Sequence, residues 1–138
     1  MISFNFETDF ELKNEAELTD WIKKTISNES CEVGEINYIF CDDDYVHKIN
    51  VEYLNHDTFT DIISFDYSVG KELHGDVFIS IDRVKENAEE FEVSFTDELH
   101  RVMIHGILHY CGYKDKTDEE AKLMRSKEDF YLNTRTEN

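Results

Sequence analysis

HGILHYCGYKD, residues 105–115, places two histidines four positions apart and then breaks at a glycine. The segment leading into it, Ser94 to Cys111, carries Leu99, Val102, Met103, Ile104, Ile107, Leu108 and Tyr110 and has little polar face, so it reads as a buried helix. At 3.6 residues per turn, His105 and His109 leave that helix on one side, with nitrogens able to converge on a single ion. Gly112 stands where the helical pattern stops. A glycine there can adopt the left-handed conformation that reverses the chain and returns residue 115 toward the histidines.

The spacing of His105, His109, Gly112 and residue 115 is that of the pattern HExxHxxGxxH, with Gly106 for the glutamate and Asp115 for the last histidine. Two imidazoles and a carboxylate form a three-ligand metal site with one position open for water. Histidines at this spacing are, on their own, often ordinary core or surface residues. The glycine turn and the carboxylate at the right offset favour a metal site here. In HExxH peptidases the glutamate takes a proton from metal-bound water, so Gly106 argues against peptide hydrolysis. Phosphodiester cleavage asks less of a base between the ligands, but it does need positive charge.

Outward from this segment, strand-like and helix-like pieces alternate without a linker or repeat. Ile2 to Phe6 alternates as a strand, and Glu15 to Ser27 sets Leu18, Trp21, Ile22 and Thr25 at helical spacing. Ile36 to Cys41 reads as a second strand. Asp42 to Asp44 then cap a helix running through Leu54, with Tyr45, Ile49 and Tyr53 on one face. Asp61 to Tyr67 and Asp76 to Ile81 are rich in β-formers, with Gly70 and Gly75 between them in a hairpin-like connection. Asp82 to Phe91 is a further helix. Ser94 with Asp97 opens the histidine helix, and Thr117 with Glu120 opens a last one ending near Leu132. The expected fold is α+β: a single compact domain over residues 1–138, with a small mixed four-stranded sheet, about five helices and a zincin-like metal site on a buried helix.

A chain of 138 residues, 40% hydrophobic and 13% aromatic, can bury a core despite 33% charged content. Cys31, Cys41 and Cys111 form no CxxC pair, which suits reduced thiols, and no segment approaches a membrane span. A soluble, cytoplasmic protein is expected. The net charge of -18 is unevenly spread: residues 1–100 hold 7 basic and 25 acidic side chains, whereas residues 101–138 hold 7 of each. The histidine segment therefore escapes an acidity that would repel a nucleic acid.

The run HGILHYCGY resembles the signature HGxLHLxGYDH of the YbeY family of metal-dependent endoribonucleases, which act in ribosomal RNA maturation. Asn50, Tyr53, Asp57 and TDIISF, Thr60 to Phe65, resemble the family's stretch ending in TDVLSF. Gly75 with Asp76 resembles its GD strand start, and Met124 and Glu128 fall where its last helix carries such residues. The resemblance spans about residues 36–130 and implies a small mixed sheet packed by helices around a metal cleft.

The departures concern charge. After GY the family has aspartate then histidine, whereas this chain has Lys114 then Asp115, so the third ligand becomes a carboxylate and leaves the ion less net charge. The arginine that the family places after the tyrosine matching Tyr53 is Leu54. His56, two places on, and Arg101, one turn before His105, are candidates to supply the missing charge and the catalytic role, with Lys114, Lys116, Lys122, Arg125 and Lys127 behind them. Zinc suits the two imidazoles, and manganese or iron also accept a carboxylate ligand. The sequence thus reads as a metal-dependent endoribonuclease acting on ribosomal RNA or the ribosomal particle, with a monomer favoured. The alternatives are a non-catalytic ribosome-assembly factor with a structural metal, a zincin-like hydrolase of another substrate, and a non-haem iron enzyme.

Overall fold

Apolar residues sit on both faces of the strands that form the sheet, so helices must cover both sides. In the computed structural model, which describes residues 1–135, these strands are β1 (Ile2–Phe6), β2 (Glu32–Cys41), β3 (Ile62–Asp66) and β4 (Glu72–Ser80). The helices are α1 (Glu15–Asn28), α2 (Asp43–Leu54), α3 (Ile81–Glu90), α4 (Phe95–Tyr110) and α5 (Asp118–Leu132). The sheet order is β1-β2-β4-β3. β1 and β4 run parallel to β2, and β3 pairs antiparallel with β4 through a turn at Gly70.

The two faces differ in depth. Ile36, Tyr38 and Phe40 of β2 and Leu73, Val77 and Ile79 of β4 enter one large core with Trp21 and Ile22 of α1, Met103, Ile104, Ile107 and Leu108 of α4, and Met124 and Tyr131 of α5. On the other face Cys41, Val46, Ile49 and Ile63 form a small core beneath α2. The buried side of α2 is Val46, Ile49 and Asn50, whereas Tyr45 and Tyr53 are exposed. The expected face Tyr45–Ile49–Tyr53 is thus displaced, because a steady spacing of four drifts around a helix of 3.6 residues per turn.

Both longer strands begin four residues before the sequence reading places them. Glu32 and Glu35 hide the apolar alternation at the start of β2, where the register shifts between Val33 and Ile36. Gly75 is likewise inside β4 rather than at its start. A Cβ at Gly75 would overlap the Tyr110 hydroxyl and the Phe65 carbonyl, and that hydroxyl donates to Phe65 O at 2.9 Å. The missing side chain is what lets the C-terminal end of α4 dock on the sheet.

The caps follow the sequence. Asp42 accepts from the Tyr45 amide, Ser94 from the Asp97 amide, and Thr117 with Glu120 makes a complete capping box. Among the described residues no helix is long and apolar enough to cross a membrane.

Candidate metal centre

α4 turns its apolar side to the sheet, burying Val102, Met103, Ile104, Gly106 and Ile107, and directs His105 toward a cleft beside α5, with His109 next to it one turn on. At its end Gly112, with φ +105°, closes the helix: the Gly112 amide donates to His109 O and the Tyr113 amide to Leu108 O. These two bonds are the Schellman pattern, which satisfies the last carbonyls while reversing the chain. The reversal returns Asp115 to the histidines. The Asp115 carboxylate lies 3.3 Å from Nε2 of His105 and 3.3 Å from Nε2 of His109, and the two Nε2 atoms are 3.0 Å apart. Among the described residues this is the group of three whose donor atoms could share one ion.

The orientation of each imidazole is fixed from behind. His109 Nδ1 donates to the Tyr113 carbonyl at 2.9 Å, and His105 Nδ1 donates to Glu128 at 2.7 Å. A carbonyl can only accept, so the His109 proton resides on Nδ1 and Nε2 presents a lone pair. The Glu128 carboxylate sets the same tautomer on His105. Two lone pairs and a carboxylate facing one another within 3.3 Å are unfavourable unless a cation lies between them. Tetrahedral zinc, with bonds of about 2.0–2.1 Å, separates its ligands by about 3.4 Å, close to the edges of this triangle. The donor set therefore fits a small divalent ion. When no metal is bound a proton can serve instead: burial lowers the basicity of His105, but its bond to Glu128 and the charges of Glu128, Asp115 and Asp61 outweigh this, and its pKa is raised.

Glu128, 5% exposed, is itself anchored, accepting from Arg101 Nη1 at 2.9 Å, while Arg101 Nη2 reaches Asp129 at 2.6 Å. Arg101 thus lies in the cleft, as its place on α4 suggested, but its charge is committed to two carboxylates. It acts on the site through Glu128. His56 is not brought to the site. It is exposed, follows the left-handed Asn55 that caps α2, and is not among the residues lining the cleft. Of the other basic candidates, Lys127 turns away to Glu29 and the Tyr113 ring, and Lys114, Lys116 and Lys122 are exposed outside the cleft lining. Arg125 is exposed, lines the cleft and has no carboxylate partner among the described residues.

The cleft, a cavity of about 340 Å³, is lined by His105, Asp115, Arg101, Arg125 and Glu128 together with Asp61 and Glu98. Its acidic side chains outnumber its basic ones, so the neutral balance of residues 101–138 does not make a neutral site: Asp61 and Glu98 reach it from the acidic part of the sequence. Burial raises the pKa of Asp61, opposed by His105 and by the backbone amides of Asp61 and Ile62. Its carboxylate also accepts from Asn87 at 3.4 Å. Spacing could not reveal Asp61, Glu98 or the role of Glu128, which come from separate elements. The segments TDIISF and Met124 to Glu128, which carry the family resemblance, contain Asp61 and Glu128.

Gly106 has a packing role. A Cβ there would stand 3.2 Å from Ile62 Cδ1 and 3.4 Å from Val77 Cγ1, so this position faces the sheet rather than the cleft. A glutamate would be pressed between apolar side chains.

Comparison with known proteins agrees over nearly the whole chain. A family model described as Endoribonuclease YbeY matches residues 3–136. The protein named Endoribonuclease YbeY of Flavobacterium johnsoniae is 67% identical over 129 residues, covering 94% of this chain and 93% of its own. Its namesake from Bacteroides thetaiotaomicron is 50% identical over 112 residues, covering 81% and 82%. The solution structure of TM1509 from Thermotoga maritima matches with a TM-score of 0.68 at 28% identity, covering 96% of this chain and 87% of that one.

Proposed function

The chain belongs to the YbeY family of endoribonucleases, and from that premise we propose that it is a metal-dependent endoribonuclease of ribosomal RNA maturation, held by His105, His109 and Asp115 around one ion. The observation that carries the site is the triangle of donor atoms with edges of 3.0, 3.3 and 3.3 Å, each imidazole fixed by a partner on its far nitrogen. Zinc is the ion this donor set suits best, with manganese or iron as the alternatives a carboxylate admits. The whole chain, 1–138, is read as one such domain, a monomer working in the cytoplasm on ribosomal RNA or the ribosomal particle.

When bound, the ion would acidify a water and neutralise charge developing on phosphate oxygens. The protein supplies the rest. Arg125, the uncommitted cation of the cleft, meets a phosphate in place of the arginine that Leu54 replaces. Asp61, recessed in the same cleft, accepts the proton that the nucleophile gives up. Glu128 and the Tyr113 carbonyl hold the imidazoles in one tautomer, and Arg101 holds Glu128. Gly106 leaves no base between the ligands, which disfavours a zincin-like peptidase, and two histidines on one helix before a glycine turn suit a zincin-like site better than an iron triad.

The test is cleavage of structured ribosomal RNA by untagged protein, before and after chelation and with zinc or manganese restored. Activity should vanish with the metal, return with it, and be absent from His105→Ala. Full assembly function in cells by a variant that binds metal but cuts no RNA would favour the non-catalytic assembly factor. Asp61→Asn should keep its metal and lose turnover.

A further inference from the structure

Two acidic residues of the cleft are more than nine-tenths buried, and they differ in their partners. Glu128 is 5% exposed and bonded to both Arg101 and His105, whereas Glu98 is 6% exposed and has no side-chain hydrogen bond or ion pair among the described residues. The Glu98 carboxylate oxygens are not sealed in: they keep an opening to the cleft, where the donors of a ligand can reach them. Glu98 lies on α4 seven residues before His105, two helical turns away on the same face, and lines the same cavity.

The surroundings of Glu98 are those of a flat, half-apolar ligand. Ile62 and Val102 wall the cavity, and Phe91, 53% exposed at the end of α3, stands at its edge. Apolar walls, an aromatic ring and polar groups at their edge are elements by which proteins hold an unstacked base. The volume of about 340 Å³ leaves room for a base beside the ion.

Building on the ribonuclease reading, we propose that this end of the cleft is a nucleobase subsite selective for guanine, with Glu98 accepting the N1–H and 2-amino donors and Phe91 packing on the ring. A carboxylate offers two acceptors side by side. Among the four RNA bases guanine alone presents two adjacent N–H donors on its Watson–Crick edge. Adenine and cytosine each present a donor beside an acceptor, and uracil a lone donor between acceptors. Guanine would supply the partners that Glu98 lacks, and the other bases would leave an acceptor facing its carboxylate. Burial raises the Glu98 pKa and Asp61 adds to this, against the counter-effect of Arg101 and Arg125.

The experiment has a binding arm and a cleavage arm, both with the zinc-loaded protein. In calorimetric titration, guanosine monophosphate should bind at least about tenfold more tightly than adenosine monophosphate. Inosine monophosphate, which lacks the 2-amino group, should fall between them. Glu98→Gln, whose amide sets a donor beside an acceptor, should remove the preference for guanine and bind adenosine monophosphate at least as tightly as the parent does, and Phe91→Ala should weaken all three nucleotides even if Glu98→Gln fails to fold. Equal affinities for guanosine and adenosine monophosphates, or a preference that survives Glu98→Gln, would overturn the subsite. In the second arm, a single-stranded uridine oligonucleotide with one guanosine should be cut beside it, and less when inosine replaces it. Guanine-selective binding without cleavage of any RNA would leave the subsite standing and sink the ribonuclease reading. Cleavage that ignores the guanosine would do the reverse.

Discussion

As the proposed third ligand, Asp115 would bring a carboxylate to the site, and its half-exposed position leaves space for a larger side chain. Asp115→His should therefore keep the ion, and the neutral third ligand should leave it more charge, shifting the alkaline-side rise of RNA cleavage to lower pH. Asp115→Ala leaves two ligands and should lose most of the metal in elemental analysis. If it binds as tightly as the parent, another residue completes the site. Glu128→Gln is expected to weaken binding about 10–100-fold, since a carboxylate behind a liganding histidine fixes its tautomer. His105 adds a pH dependence. Its pKa is raised in the metal-free fold, so a proton competes for the site from above the ordinary histidine value of about 6.5. Metal affinity should be at its plateau well above that pH and fall as pH is lowered, the fall starting above about 6.5. A competition titration across pH 5–9 reads this directly, and a fall confined to pH below about 6 would contradict it.

At the scale of elements, the centre is a helix and the turn that ends it. Gly112→Ala meets no steric obstacle, but φ +105° is a region L-residues avoid, so the cost should be about 1–3 kcal/mol with weakened metal binding as Asp115 shifts. At Gly106 the contrast lies between two substitutions. Gly106→Ala should be near neutral, because the Ile62 terminal methyl can move aside and alanine is the better helix former. Gly106→Glu should cost more than about 3 kcal/mol in thermal or urea unfolding and gain no peptidase activity, since its carboxylate would be driven against Ile62 and Val77. These elements were the most legible in the sequence. Every helix and strand follows from the sequence pattern, as do the glycine turn and the approach of Asp115 to His105 and His109, because helical periodicity and glycine conformations are local. The strand starts at Glu32 and Glu72 were missed because their edge residues are polar. Gly75 was misread because its cause, the Tyr110 hydroxyl, lies 35 positions away in sequence. Asp61, Glu98 and Glu128 meet only once α3, α4, α5 and the start of β3 have packed, and composition carries no trace of that meeting.

Over the whole molecule, the charge of -18 and the acid-lined cleft pose one problem, which is how a polyanion approaches. A divalent ion held as proposed between His105, His109 and Asp115, together with Arg125, would offset the local excess, so RNA binding should weaken steeply on metal removal even where cleavage is not measured. Filter binding with a chelated control tests this, and unchanged affinity would count against it. The unequal faces of the sheet have a consequence in time rather than in space. All the metal-site elements rest on the large core, whereas α2 is held by the few residues around Val46, Ile49 and Ile63. α2 should therefore open on its own, with amides exchanging with deuterium faster than those of α4, in a fluctuation that never reaches the ion. Metal removal should then accelerate exchange along α4 and its turn while leaving α2 at its former rate, so the protein behaves as two separately breathing halves of one sheet.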